Sequence, residues 1–226
     1  AQESIDKGGI YADELRTLNK IAKKMQAEKF SRGAIEFEQD EIKFILDENG
    51  KPTGVYKKER LDTHKLVEEY MLLSNREVAK FIADSVEKKK VDFSGSIYRI
   101  HDTPDKDRIA DLAQFVKALG YDLKTNNGAV TASAMNNLMK QVTGTPHEAL
   151  VKTAAIRSMQ KAIYSTKNIG HFGLAFTFYT HFTSPIRRYP DLLVHRVLQN
   201  HLVGNKFDHK DIARYQKIAE QSSERE

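Results

Sequence analysis

The chain has 226 residues, a formal net charge of +5 and no cysteine, which excludes a disulfide framework and a thiolate metal site. No apolar run is as long as a membrane span, so we expect a soluble protein, and a cytoplasmic one because the lack of cysteine fits a reducing compartment. The isoelectric point of about 9.1 is compatible with a polyanionic partner, although 36 basic and 31 acidic residues nearly balance.

The first part of the chain is predicted to hold two helices separated by a hairpin. One helix has an apolar stripe and ends at Gly33; the stripe consists of Tyr11, Leu15, Leu18, Ala22 and Met25. Residues 41–60 form a hairpin, because Asn49-Gly50 favours a two-residue turn. A long helix begins at Asp62 or Thr63, and its buried face comprises Val67, Tyr70, Met71, Ser74, Val78, Phe81 and Ile82. The lysines at 88–90 suit the dipole at its C-terminus better than an RNA-binding patch.

The remainder alternates short strands with helices. We predict strands at 96–101 and 162–165, and helices at 131–142 and 147–160, while a helix carrying Ile109, Leu112, Val116 and Leu119 ends at Gly120. Asp208 caps a last helix that meets no stop signal. The fold class is α/β (α+β), helix-rich with a small mixed or antiparallel sheet, in one unit. We expect the chain to be a fragment of a longer protein, since it also begins without Met.

Residues 171–196, HFGLAFTFYTHFTSPIRRYPDLLVHR, contain two adjacent arginines, Arg187 and Arg188. Thr183 or Ser184 is a suitable N-cap and Pro185 a suitable first helical residue, which would place both arginines near the first turn. Positive charge there opposes the helix dipole, so the pair indicates a phosphate-binding site rather than a stabilising device. Alternatively the helix begins only at Pro190, whose ring would crowd a preceding turn.

Two further side chains lie at helical spacing after the arginines. In a regular helix, Asp191 would lie one turn beyond Arg187 and could orient its guanidinium through an i,i+4 pair. His195 would lie one turn further. The alternative is that Asp191 and His195 bind a metal, but the sequence shows no third ligand for it.

The core HFTSPIRRYPDLLVHR resembles the signature of the ribonuclease II and ribonuclease R family of processive 3′-to-5′ exoribonucleases, and most closely the ribonuclease R branch. The resemblance implies an RNB-type catalytic domain that hydrolyses RNA from a single-stranded 3′ end and releases nucleoside monophosphates. It assigns Arg187 to the scissile phosphate and makes Arg188 an RNA-binding residue. A guanidinium suits this role, because it never deprotonates and offers a two-pronged donor to the phosphoryl oxygens.

Two more positions match motifs of that family. Glu68, in Leu66-Val67-Glu68-Glu69-Tyr70-Met71, matches a glutamate that contacts the sugar hydroxyls of the RNA 3′ end, which is one means of telling RNA from DNA. Phe37 matches an aromatic residue that clamps the terminal bases. Without the resemblance, Glu68 would be a solvated helix acid and Phe37 a core residue beside Ile35.

The family's metal site is an aspartate cluster of the form D-x5-D-x-D-D that holds Mg²⁺, and no segment of this chain matches it. The series Asp102, Asp105, Asp107 and Asp111 has a different spacing, and its first members suit a helix start. We therefore expect no metal ligands in this chain and place the Mg²⁺ site in the longer protein. The chain would form roughly the C-terminal half of the catalytic domain, without the flanking RNA-binding domains.

Two other functions remain open from the sequence. A relative that has lost its aspartates would bind RNA or act as a scaffold without cleaving. A generic basic α/β module would show no preference for RNA 3′ ends. The residues upstream of Ala1 discriminate the first from an enzyme, because an intact aspartate cluster there means catalysis.

Overall fold

The computed structural model describes residues 1–35, 41–89, 96–204 and 209–226. These residues form two compact units: Ala1–Glu28 with Glu36–Tyr70, and Lys29–Ile35 with Met71–Glu226. No helix within the described ranges is long and apolar enough to cross a membrane.

The first unit contains α1 (Gln2–Lys7), most of α2 (Ala12–Ser31), the strands β1 (Glu41–Leu46) and β2 (Pro52–Lys58), and the start of α3 (Asp62–Lys89). The predicted hairpin is confirmed, with β1 and β2 antiparallel. Its connection is a three-residue loop rather than the expected two-residue turn: Gly50 N donates to Asp47 O (3.0 Å) and Asp47 N donates to Lys51 O (2.9 Å). The Asp47 side chain favours this longer loop by accepting from the backbone N–H of Asn49 and Lys51.

The buried face of α3 differs from the predicted stripe. Val67 and Phe81 are 54% and 44% exposed, whereas Asn75 and Ala79, which were not predicted, are buried. The predicted burial of Ile82 is confirmed. Asn75 occupies the interior because its amide has hydrogen-bond partners there, which removes the usual penalty for burying a polar group. In α2 the stripe is only partly confirmed, since Ala22 is buried but Tyr11 and Leu18 are exposed.

The second unit contains five further helices, four short strands and one 3₁₀ turn. The helices are α4 (Lys106–Ala118), α5 (Ala132–Val142), α6 (Glu148–Ser158), α7 (Tyr189–Val203) and α8 (His209–Glu224). The strands are β3 (Tyr98–Ile100), β4 (Thr125–Asn126), β5 (Ala129–Val130) and β6 (Ile163–Ser165), and the 3₁₀ turn is Phe172–Leu174. β3 pairs with β6, and β4 with β5, both antiparallel. The helix-rich fold class with small antiparallel sheets is confirmed.

The main core of the second unit surrounds α7. Leu193, Val194 and Val197 pack with residues of α3, α8 and the β3–β6 region, namely Ile82, Ile97, Tyr164, Tyr215 and Ala219. Burying each large apolar side chain contributes about 1.5–3 kcal/mol, so this cluster anchors α7 firmly. Leu202, near the C-terminal end of α7, is instead 63% exposed.

Among the helix caps, Asp105 accepts from the N–H groups of Asp107 and Arg108 at the start of α4. Two predicted features, the Asp208 cap and the end of the lysine run at Lys90, lie outside the described residues.

Candidate functional site at the double-arginine turn

The two arginines lie in a tight turn that precedes α7. The backbone N–H groups of Arg187 and Arg188 both donate to Ser184 O, at 3.3 and 3.1 Å, and α7 begins at Tyr189. We call residues 184–188 the double-arginine turn. The predicted helix start at Pro185 is wrong, and the alternative start at Pro190 is correct to within one residue. Pro190 lacks an N–H and fixes φ, which suits the first turn of a helix and no later position.

A buried carboxylate connects this turn to the helix. Asp191 lies in the first turn of α7 and is completely buried. Its Oδ2 accepts from Ser184 N at 2.8 Å and from Arg188 Nη2 at 2.7 Å. The Arg188 side chain is itself only 17% exposed. An acidic side chain here also complements the positive end of the helix dipole.

The expected pair between Asp191 and Arg187 is therefore wrong. It assumed that the helix ran through both residues, which would have put them one turn apart. Because the helix begins after the arginines, Asp191 reaches Arg188 instead.

Arg187 itself is exposed, and its guanidinium has no hydrogen-bond or ion-pair partner among the described residues. The preceding Ile186 is fully exposed and Tyr189 is 47% exposed. The turn thus presents one unpaired guanidinium on a backbone that is tied to the interior on both sides. Such a group can donate two parallel hydrogen bonds to a phosphate.

The chain leading into the turn is held by side-chain hydrogen bonds. Asn75 Oδ1 accepts from Phe182 N at 2.9 Å, and Asn75 Nδ2 donates to Tyr179 Oη at 3.3 Å. Thr180 donates its hydroxyl to Ile97 O at 2.5 Å. Neither Asn75 nor Thr180 was predicted from the sequence. A polar residue within the apolar stripe of α3 is the signal that could have identified Asn75.

His195 does not serve as a metal ligand in this arrangement. Its Nε2 bonds to Phe182 O at 2.9 Å, and the carboxylate of Asp191 is committed to Ser184 and Arg188. Within the described ranges, no group of three or more histidine, aspartate or glutamate side chains could hold a metal ion. The side chains in the described part of the chain thus do not fit the Mg²⁺ that the family resemblance implies.

Three rings of the second unit, those of His181, His171 and Tyr164, are uncharged at neutral pH. Burial, reinforced by the positive charges of Arg188 and Arg99, lowers the pKa of His181 to about 3. Burial likewise lowers the pKa of His171 to about 3 and raises the pKa of Tyr164 to about 12. His181 Nδ1 and Tyr164 Oη share a hydrogen bond of 2.8 Å. The positive charge near the turn therefore belongs to the arginines and not to His181.

The other predicted site residues belong to other parts of the chain. Glu68 lies on α3 in the first unit, where its half-exposed carboxylate forms an ion pair with Arg60. Phe37 lies outside the described residues. Asp105 is the N-cap of α4, and Asp102 accepts from Thr103 N. Both contacts support the prediction that these aspartates belong to a helix start and not to a metal site.

Comparison with known proteins places these features in a family. The RNB domain family matches residues 1–204. Ribonuclease R of Vibrio cholerae is 42% identical over 187 residues, which is 82% of this chain and 22% of that protein. Ribonuclease R of Thermotoga maritima is 37% identical over 212 residues, 92% of this chain and 28% of that protein.

Solved structures share the fold. The structure described as Mycoplasma genitalium RNase R in complex with ribose methylated single-stranded RNA matches with a TM-score of 0.81 and 27% identity, covering 94% of this chain and 33% of that one. Yeast Ssd1, described as a pseudonuclease, matches with a TM-score of 0.69 and 20% identity, covering 99% of this chain and 27% of that one, and shows likeness of fold alone.

The chain thus spans between 22% and 33% of the length of the ribonuclease R proteins described above. The matched residues include the double-arginine turn, the Asp191 contact and all of α7. With a family match over 204 of 226 residues and ribonuclease R relatives at about 40% identity, the chain belongs to the RNB domain family of exoribonucleases.

Proposed function

We propose that this chain is the C-terminal part of the catalytic domain of a 3′-to-5′ exoribonuclease of the ribonuclease R type. The enzyme hydrolyses RNA phosphodiester bonds from a single-stranded 3′ end and releases nucleoside monophosphates. In this proposal Arg187 contacts the scissile phosphate and stabilises the charge that develops on its oxygens. The absence of cysteine fits a cytoplasmic location, which is part of the same proposal.

The observation that carries the proposal is the contrast between the two arginines. Arg188 is neutralised by a buried carboxylate, whereas Arg187 is exposed and has no partner in the described part of the chain. Because the backbone is fixed and the guanidinium is not already paired, Arg187 can bind an anion without first breaking an ion pair, and its charge is available where charge appears in the transition state. The solved relative with single-stranded RNA supports RNA as that anion.

The remaining site residues keep their predicted roles as proposals. Glu68 accepts from sugar hydroxyls at the RNA 3′ end, once its exposed ion pair with Arg60 opens or shifts. That opening is inexpensive, because exposed ion pairs contribute only about 0–1 kcal/mol. Phe37 stacks on the terminal bases, and Arg188 contributes to RNA binding through the turn that it stabilises.

The divalent metal that hydrolysis by this family requires would be held elsewhere. The described residues contain no suitable carboxylate group, and the sequence contains no D-x5-D-x-D-D cluster. We propose that the ligands lie in a part of the protein that precedes these residues. Residues of this chain would then bind and orient the RNA and stabilise the scissile phosphate.

A second candidate function is that of an RNA-binding relative without activity. The same fold occurs in a protein described as a pseudonuclease, so the fold does not decide whether cleavage occurs. In that case Arg187 would bind a phosphate that is never cleaved.

A direct test uses end-labelled single-stranded RNA, the full-length protein and the isolated 226 residues, each with and without Mg²⁺. We expect Mg²⁺-dependent release of nucleoside monophosphates by the full-length protein only. Retained RNA without cleavage by the full-length protein would favour the non-catalytic candidate. Processive cleavage by the isolated 226 residues would refute the proposed location of the metal ligands.

A further inference from the structure

We infer that Asp191 is a positioning residue for Arg187, acting through Ser184 and Arg188 to hold the double-arginine turn in one conformation. The inference rests on the proposed role of Arg187 at the scissile phosphate. It adds a residue that touches neither RNA nor metal and yet governs the rate of cleavage.

The geometry of one oxygen atom carries the inference. Asp191 Oδ2 accepts from the backbone N–H of Ser184, the first residue of the turn, and from the guanidinium of Arg188, the last. Both ends of the turn are thereby attached to one atom of α7. Because Leu193 and Val194 are almost completely buried in the main core, α7 offers a rigid base. Arg187 lies between the two attachment points.

This arrangement fixes the backbone of Arg187, although the Arg187 side chain itself has no partner in the described ranges. Its backbone is determined by the Asp191 contacts and by the two N–H groups that donate to Ser184 O. Displacing a catalytic group by about 1 Å can lower a rate on the order of a hundredfold. Loosening the turn should therefore slow cleavage more than it weakens RNA binding.

The energetics favour a positioning role over a purely stabilising one. Asp191 is fully buried, and a buried ion pair adds little stability compared with apolar side chains of similar volume. Asp191 Oδ1 and Arg188 Nε also lack hydrogen-bond partners among the described residues, so the pair is not fully satisfied. Since the burial of this incompletely hydrogen-bonded pair costs stability, its role is to hold the turn in position.

The experiment is a double-mutant cycle in the full-length protein. Single-turnover cleavage and equilibrium RNA binding are measured with Mg²⁺ for the parent, Asp191→Asn, Arg187→Lys and the combined variant. We expect Asp191→Asn to slow cleavage about 10- to 100-fold and to change RNA affinity less than about threefold. Adding Asp191→Asn to Arg187→Lys should cost less than about threefold more, because the displaced guanidinium is already absent.

A matched control and a second variant keep the test interpretable if Asp191→Asn misfolds. Asp107→Asn neutralises an exposed acid in the first turn of α4 and should leave both measurements unchanged. If Asp191→Asn does not fold, Arg188→Met with Asp191→Leu replaces the buried pair by apolar groups, which proteins tolerate well, and still removes the contacts to Ser184.

The outcomes separate the two hypotheses. If Arg187→Lys is impaired but the effects of the two substitutions multiply, or if the Asp191 variants lose only binding, positioning is refuted and the proposed function stands. An Arg187→Lys enzyme with the parental cleavage rate refutes positioning together with the proposed role of Arg187, since there is then no catalytic guanidinium to position, while the exoribonuclease activity stands. Parental cleavage by the Asp191 variants also refutes positioning.

Discussion

The imidazole ring of His195 stacks on the phenyl ring of Phe182, with centroids 4.0 Å apart and planes inclined by 13°. His195 Nε2 also bonds to the carbonyl of Phe182 at 2.9 Å. His195 of α7 therefore holds Phe182, two residues before the double-arginine turn, while Asp191 holds the turn itself. Through these two residues, α7 fixes both the double-arginine turn and the segment that leads into it.

Two substitutions of His195 should lower the local stability around the turn by different amounts. His195→Ala removes the ring contact and the hydrogen bond, and should destabilise the region by about 1–3 kcal/mol. His195→Phe keeps a ring and loses only the hydrogen bond, which should cost about 0.5–1.5 kcal/mol. Native-state hydrogen exchange in peptides covering 179–198 measures both. Equal effects of the two variants would show that the ring stack contributes nothing.

Arg187→Lys in the full-length protein keeps the positive charge but loses the planar fork. We expect cleavage in a single turnover to fall on the order of 100- to 1,000-fold, which corresponds to about 2.7–4 kcal/mol of lost transition-state stabilisation. Arg188→Lys should be the milder change, because a lysine keeps the positive charge beside Asp191. The matched control is Arg108→Lys, an exposed arginine of α4. Cleavage at the parental rate, or a loss confined to binding, would remove Arg187 from the catalytic residues.

Glu68→Ala should reduce the preference for RNA over DNA 3′ ends. Hydrogen bonds to a charged acceptor contribute about 1.5–3 kcal/mol, so we expect discrimination to fall by about tenfold or more. Affinity for a DNA 3′ end should change much less. Equilibrium binding of matched RNA and DNA oligonucleotides measures the effect.

Two further variants test whether Glu68 is specific. Glu77→Ala removes another exposed glutamate of α3 that also pairs with an arginine, Arg76, and should leave discrimination unchanged. Arg60→Ala removes the ion-pair partner of Glu68 and should not weaken RNA binding at the sugar. Equal losses for RNA and DNA in Glu68→Ala would make this residue a bystander.

The neutral histidines predict that the second unit loses stability in mild acid. Burial lowers the pKa of His171 and His181 to about 3, below the value of 6.5 expected in the unfolded chain. Between pH 6.5 and 3 the unfolded chain binds more protons, so stability is complete above pH 6.5 and declines as the pH falls towards 3. At pH 5 each histidine should cost on the order of 1–2 kcal/mol.

Hydrogen exchange at pH 7.5 and 5.0, corrected for intrinsic rates, measures this loss in peptides covering 163–182. Carboxylates also contribute to acid destabilisation, so the informative quantity is the difference between the parent and His171→Gln with His181→Gln. The double variant should show a weaker dependence on pH. Identical dependence in the two proteins would contradict the assignment to these rings.

Much of the fold follows from local patterns in the sequence. Gly33, Gly50 and Gly120 mark the ends of elements and all adopt positive φ, a conformation that costs glycine little. The bounds of α5 agree with the prediction to within one residue. These features depend on residues that are neighbours in the chain, so a single sequence contains the information needed.

The details of the candidate site depend on contacts that are distant in sequence. The buried face of α3 includes Asn75 because Phe182, 107 residues away, supplies a donor for its amide. The roles of Arg187 and Arg188 differ because α7 starts after them. The position of the helix start decides which of the two guanidinium groups reaches Asp191. Periodicity locates an apolar stripe but does not say which polar residue at its edge finds a partner.

The buried pair of Arg188 and Asp191 also constrains how this segment can evolve. Losing either charge alone leaves the other uncompensated in the interior, which typically costs about 3–5 kcal/mol, whereas losing both together is nearly neutral for stability. Homologues under selection for cleavage should therefore keep both residues. In lineages released from that selection the two should disappear together, leaving an apolar pair at these positions as a sequence-level sign that catalysis has been abandoned.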